Sequence, residues 1–258
     1  FLMLAGFHAW ILPRPQTRAE TRPQKHSNSL QPSNENSIEA AQASHRWWGE
    51  FAEILKSFFR RPDIVRVLAF LLLYRLGESQ LMRLLAPFML DQAEAGGLAL
   101  STQQVGWIYG TVGVAALLLG GVLGGWLIAR KGLDKMIWPM VLCMHIPNIL
   151  YVVLSLHPHV SMAWITTVVA VEQLGYGFGF AAYMVYMMMV AEGPHQTAHY
   201  ALCTGFMALG MMLPGMVAGW LQTQMGYPVF FTWVCVACLP SLWVVAKARI
   251  RPGYGRAT

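Results

Sequence analysis

Ionisable residues inside long apolar runs are the first place to look for chemistry in this chain, because a charge at such depth is costly and commonly functional. Arg75 and Glu78 stand at i and i+3 inside the run from Ile64 to Leu90, a spacing that puts them on one helix face as a candidate internal pair. At 1.5 Å of rise per residue, Glu78 lies about 21 Å along a helix of roughly 40 Å, near its middle. Glu172 and Gln173 occur well inside the run from Met162 to Val190. Tyr176, Phe180, Tyr183 and Met187 continue the Glu172 face at helical spacing. Such a stripe suits a sugar or peptide ligand, and its carboxyl suits the uptake of a proton on one side and its release on the other. The expected substrate path is therefore Arg75, Glu78, Glu172, Gln173, Tyr176 and Tyr183, with Glu78 and Glu172 as proton-coupling candidates. The plainer alternative makes Glu172 a hydrogen-bond anchor between helices and the aromatics core.

The other reactive groups carry less. Cys143, Cys203, Cys235 and Cys238 all sit in apolar runs and read as small buried apolar residues. The C-x-x-C spacing of Cys235 and Cys238 lacks the βαβ setting of a redox motif. His195 and His199 are four apart, His157 and His159 flank a proline, and His145 lies in an apolar run. No further ligand joins them at the spacing a tetrahedral zinc site needs. The loop histidines are expected to be solvated and His145 to be a satisfied interior residue. The glycine-rich GYGFG at 175–179 has neither the lysine nor the strand-to-helix setting of a phosphate loop. No catalytic set, metal site or cofactor is expected. A membrane-embedded transferase would need an acid–base pair near the interface, and its nearest candidate, His195 with Glu192, has no partner.

These residues must be positioned by membrane helices. Hydrophobic residues make up 56% of the 258 and charged ones 12%, about half the charge of a soluble globule; the mean hydropathy is +0.45. The net charge of +6 comes from groups near the ends of apolar segments, leaving no continuous basic face for nucleic acid. Six runs predict transmembrane helices near 64–90, 103–129, 136–156, 162–190, 200–222 and 229–246. Lys and Arg crowd the loops on one side and are absent from those on the other, which puts the linker and the C-terminus in the cytoplasm. Before these runs, residues 1–13 read as the end of a preceding transmembrane helix and 14–61 as a cytoplasmic linker. Within the linker, 46–61 form an amphipathic interfacial helix with Trp47, Phe51, Ile54, Leu55 and Phe58 on one face. The bundle occupies 62–248 and a cytoplasmic tail 249–258. Glycines in the second, fourth and fifth runs permit close helix contact where lipid supplies no hydrophobic force between helices.

The segment from Glu172 to Gly219, with its EQ-GYGFG and HYA-TGFMALG blocks, resembles the AmpG-like muropeptide permeases of the major facilitator superfamily. The loop GGWLIARKGLDK from Gly124 to Lys135 is similar to that superfamily's conformational loop, with Gly125, Arg130 and Gly132 in the expected places and Ala129 where an acid is usual. The resemblance spans about 62–248. It implies an all-α, six-helix C-terminal half of a twelve-helix transporter in the bacterial inner membrane, with substrate held near the midplane between halves. The implied activity is proton-coupled import of anhydro-muropeptides, not an enzymatic reaction; transport of another small solute is the alternative. Its partners would be lipid, the sugar-peptide solute and an N-terminal six-helix half. A half exposing its partner-facing side is expected to be poorly stable alone.

Overall fold

The structure, a computed structural model, describes residues 49, 51–157 and 160–257. The helix end expected over 1–13, the linker up to residue 48 and Trp47 on the interfacial face lie outside the described residues. The elements are α1 (51–59), α2 (Ile64–Leu73), α3 (Leu76–Leu90), α4 (Thr102–Lys131), α5 (Leu133–His145), α6 (Ile149–Leu156), α7 (Met162–Ala191), α8 (Gln196–Ala237) and α9 (Leu239–Lys247). No strand occurs among the described residues. Four helical stretches among them are long and apolar enough to cross a membrane: Thr102–Lys131, Leu133–Leu156, Met162–Ala191 and Gln196–Lys247. The last has 52 residues, enough for two passes at about 20 residues each.

Local chemistry starts and ends these helices. Ser101 caps α4 in a reciprocal box with Gln104, and the Ser161 hydroxyl accepts the Trp164 amide at the start of α7. Gly132, at φ 89°, takes the chain from α4 into α5 with no intervening loop. The sixth span follows the fifth with equal economy. In place of the loop expected near 223–228, one residue, Gly226 at φ 71° and ψ 169°, breaks α8 in two.

Three spans are discontinuous, the sixth at Cys238 between α8 and α9. α5 gives way to a 3₁₀ turn over Ile146–Asn148 before α6, because Pro147 lacks an amide to continue the helix. The first span breaks between Leu73 and Leu76 with neither proline nor glycine at the break. Hydrogen bonds from α7 meet it there. The Tyr183 hydroxyl donates to the Leu71 carbonyl at 2.7 Å, and the Tyr74 hydroxyl donates to the Gly179 carbonyl at 3.0 Å. On the other side Gly210 of α8 leaves the room: a Cβ there would stand 2.9 Å from the Leu72 carbonyl oxygen. Irregular backbone at membrane depth is tolerated where protein covers it in this way.

α7 is the centre of the bundle. A Cβ on Gly177 would stand 2.1 Å from the Leu117 carbonyl oxygen of α4, and one on Gly120 would stand 2.1 Å from that of Leu174. The two helices therefore interlock glycine to carbonyl. Gly175 receives α5 just as closely, 2.1 Å from the Cys143 carbonyl oxygen. Other faces of α4 and α8 stay open, with Val122 70%, Met216 73% and Trp220 64% exposed. The outward apolar faces and helix lengths are those of a multi-pass membrane protein. At one end α1 is tied in by Phe58, fully buried and stacked on Phe206 at 6.1 Å, while Phe51 and Phe59 face outward.

Candidate functional site

The breaks in the first and third spans open onto the same polar seam. From the first span come Arg75, 6% exposed, and Glu78, fully buried; from the third His145 and Asn148; from the fourth Glu172 and Gln173. Asn148 donates to Cys238 Sγ at 3.5 Å. Cys238 in turn lies so close to the first span that a Cβ on Gly77 would stand 2.4 Å from its sulfur. The Glu172 carboxylate accepts from the Tyr151 hydroxyl at 3.3 Å and from Gln173 Nε2 at 3.0 Å. The same Gln173 nitrogen donates to the Tyr109 hydroxyl at 2.9 Å, and Tyr109 donates to Met82 Sδ at 3.1 Å. Glu78 and Glu172 are within electrostatic reach of one another.

The seam is under-bonded for its depth. Arg75 Nε, both Glu78 oxygens, both His145 ring nitrogens, Asn148 Oδ1 and Glu172 Oε1 are buried without a hydrogen-bond partner among the described residues. Each such group costs about 1–3 kcal/mol relative to a satisfied one. His145 is thus interior as expected, with the Tyr74 backbone near its ring but no hydrogen bond of normal geometry to either nitrogen. Nor do Arg75 and Glu78 pair. The helix breaks at Arg75, whose φ of −109° and ψ of 19° put it outside the helical register, so the i,i+3 geometry is lost. Arg75 donates to the Tyr176 hydroxyl and stacks over the Tyr176 and Phe180 rings at 5.1 and 4.8 Å.

Of the remaining expected residues, Gln173 and Tyr176 join this seam through Glu172 and Arg75. Tyr183 is fully buried, bonded to the Leu71 carbonyl and stacked with Phe70 and Phe180 at 5.8 and 6.2 Å. In the segment from Gly124 to Lys135, Arg130 stacks on Trp126 at 4.1 Å, Gly132 makes the tight turn and Gly125 faces open space. The C-terminal tail is bound to that segment. The Ala257 amide donates to the Ala129 carbonyl at 2.8 Å, the Leu133 amide to the Tyr254 carbonyl at 2.8 Å, and the Gly253 amide to Asp134 Oδ1 at 3.1 Å.

A second polar cluster closes the end where α1 meets α7 and α8. Arg61 donates to the Val190 carbonyl, to the Glu192 carbonyl at 3.1 Å and to His199 Nδ1 at 2.8 Å. Because Arg61 can only donate, Nδ1 is the acceptor, and His199 Nε2–H then donates to Ser57 Oγ at 2.9 Å. His199 is 3% exposed, so the expectation of a solvated histidine fails there: α1 covers it. His195 and Glu192 do not form an acid–base pair, since the Glu192 carboxylate is bonded to Arg251.

Sequence reasoning missed Asn148, Tyr109 and Tyr151 in the seam. It also missed Arg83, an exposed cation inside α3. The signals were present: a polar residue beside Pro147, and an arginine eight positions after Arg75 in an apolar run.

No family model matches the chain. Among curated proteins, the anhydromuropeptide permease of Escherichia coli (strain K12) is 26% identical over 202 residues, covering 78% of this chain and 40% of that protein. A Rickettsia bellii (strain RML369-C) protein bearing the name transporter AmpG 1 is 25% identical over 196 residues, covering 76% of this chain and 46% of its own length. Among solved structures, a mutant of the peptide transporter POT in complex with alafosfalin matches with a TM-score of 0.60 at 19% identity, covering 74% of this chain and 39% of that one. The fold is thus one that the POT peptide transporter shares over the matched part of its chain. In sequence the chain is similar to proteins named AmpG and anhydromuropeptide permease over about three quarters of its length. It spans a little under half the length of these curated relatives, which are named as permease and transporter and not as enzymes.

Proposed function

We propose that this chain is the C-terminal six-helix half of a bacterial inner-membrane permease that imports anhydro-muropeptides by alternating access, driven by protons. The observation that carries this reading is the burial of Glu78 and Glu172 on two facing spans with three of their four carboxylate oxygens unbonded. Neither carboxyl joins an ion pair among the described residues, so each can exchange a proton without dismantling one. In this reading Glu78 and Glu172 take up and release the proton. Arg75, Gln173, Tyr176 and Tyr183 border the solute path, and the loop with Gly125, Arg130 and Gly132 changes position as the halves rock. The linker over 14–61 and the tail over 249–258 lie in the cytoplasm, and an N-terminal half completes the solute site. The name of the Escherichia coli relative supports the substrate class. The test is uptake of labelled anhydro-muropeptide by cells making the full-length permease, with and without a proton gradient. Gradient-dependent uptake that is lost in Glu78→Gln and Glu172→Gln supports the reading. Uptake that survives both substitutions removes these carboxyls from the mechanism.

A further inference from the structure

Arg83 lies in α3 about 10 Å short of the Leu90 end by helical rise, flanked by Leu81, Met82, Leu84 and Leu85. Leu81, Leu84 and Leu85 are buried, whereas Arg83 is exposed. It joins no hydrogen bond and no ion pair among the described residues, whose ion pairs are Arg66 and Arg249 with Asp63, and Arg251 with Glu192. The acids on either side of it in the first span are not available. Glu78 is fully buried, and Asp91 accepts the Tyr227 hydroxyl at 2.6 Å.

The side chain is nevertheless held at its base. Gly215 of α8 lies beneath it, where a Cβ would stand 3.1 Å from Arg83 Cγ and 3.2 Å from Nε. The missing side chain at 215 lets the arginine lie across the fifth span and present the end of its guanidinium on the open side of α3 and α8. The neighbouring Met82 connects this position to the seam through Tyr109 and Gln173. A cation left facing hydrocarbon at this depth is costly, so the exposed guanidinium calls for an anion. Its planar fork of N–H donors fits a carboxylate in bidentate geometry.

We propose that Arg83 binds a carboxylate of the peptide part of the transported solute. The assignment rests on the transport reading above and adds to it the group that recognises the solute's negative end. It is tested by titrating the purified full-length permease with an anhydro-muropeptide and with the same compound amidated at its carboxylates, following intrinsic tryptophan fluorescence. The parent protein is expected to bind the free acid at least about tenfold more tightly than the amide. Arg83→Gln should erase that preference while leaving the amide's affinity unchanged, which also shows that the variant is folded; Arg83→Lys should keep part of it. Retention of the full preference by Arg83→Gln would overturn the assignment and give the cation to a lipid phosphate or to an acidic side chain elsewhere in the permease. Equal binding of both compounds by the parent overturns this assignment alone, and binding of neither overturns the substrate class as well.

Discussion

The middle of the bundle and its Arg61 end are built from the same polar residue types with opposite outcomes. At the end, Arg61 satisfies two carbonyls and a histidine, and His199 passes the bonding on to Ser57 and, through it, to the Ile54 carbonyl at 2.7 Å. In the seam, Glu78 has no bonded oxygen and His145 no bonded nitrogen. Side-chain exposure alone does not separate them, since His199 at 3% and His145 at 7% are both covered, although His145 lies deep in the bundle and His199 near its surface. The two regions differ in what their backbone breaks receive. At the end, the terminal carbonyls of α7 are filled by Arg61 from outside the helix. In the seam, the hydroxyls of Tyr74 and Tyr183 hold the broken backbone in place, and Glu78 beside it is left without a hydrogen-bond partner among the described residues. A satisfied cluster rigidifies, whereas an under-bonded one is kept at a cost and marks where the molecule works.

Neutralising the seam should therefore affect function far more than stability, and it is the largest effect expected here. Glu78→Gln and Glu172→Gln should each lower proton-driven uptake by the full-length permease by at least an order of magnitude while leaving the melting temperature in detergent unchanged or raised. Loss of uptake in proportion to a lowered melting temperature would place Glu172 among the structural bonds, beside Arg61, and the contrast between the regions would disappear.

The next effect is on packing next to the seam. Gly175→Val forces α5 away from α7, because even its Cβ meets the Cys143 carbonyl oxygen at 2.1 Å. It should cost about 3 kcal/mol, the upper part of the range for overpacking, and should loosen the bond between Tyr151 and Glu172. Gly125→Ala, with open space around the added methyl, should leave melting unchanged. Equal melting of the two variants would show that the close approach is not maintained.

Arg61→Ala sharpens the comparison from the other side. It removes donors from the Val190 and Glu192 carbonyls and from His199. Because water reaches part of this end, the expected cost is about 1–2 kcal/mol, seen as lower melting with proton dependence of uptake retained. A changed proton dependence would mean that this end, too, takes part in coupling.

How much of this could be read beforehand differs between the two regions for a physical reason. Span positions and the charges at Arg75, Glu78 and Glu172 follow from local composition, which a bilayer constrains strongly. The break after Leu73 has no local signal, because it is made by Tyr183 and Tyr74 bonding across to and from α7. Arg75 consequently turns to Tyr176, and the i,i+3 pair that a continuous helix would give is absent. His199 looked like a loop histidine because the helix that buries it lies 142 positions from it in sequence at Ser57. The expected loop near 223–228 was overestimated because a single glycine with positive φ can do the work of several residues.

The smallest effect expected belongs to the outermost part of the Arg61 end, where Glu192 is bonded to Arg251, with the Tyr254 hydroxyl as a second donor. The hydrogen bond from Arg251, the larger cause, and that from Tyr254 hold the Glu192 carboxyl below its ordinary range. A carboxyl depressed in the folded state contributes stability that is present above the unfolded value, near 4.3 for glutamate, and is lost as pH falls through the lower folded value. Arg251 and Glu192 are 57% and 40% exposed, so solvent and salt screen the pair, and exposed pairs contribute about 0–1 kcal/mol. Glu192→Gln should thus lower melting by roughly 1–3 °C at pH 7, and the difference from the parent should shrink as pH falls below the carboxylate range and as salt is raised. A deficit that persisted in acid and in high salt would show that the Glu192 side chain acts by packing on Tyr254. The tail's attachment to α7 would then rest on shape, as in the interlocked glycines, instead of on charge.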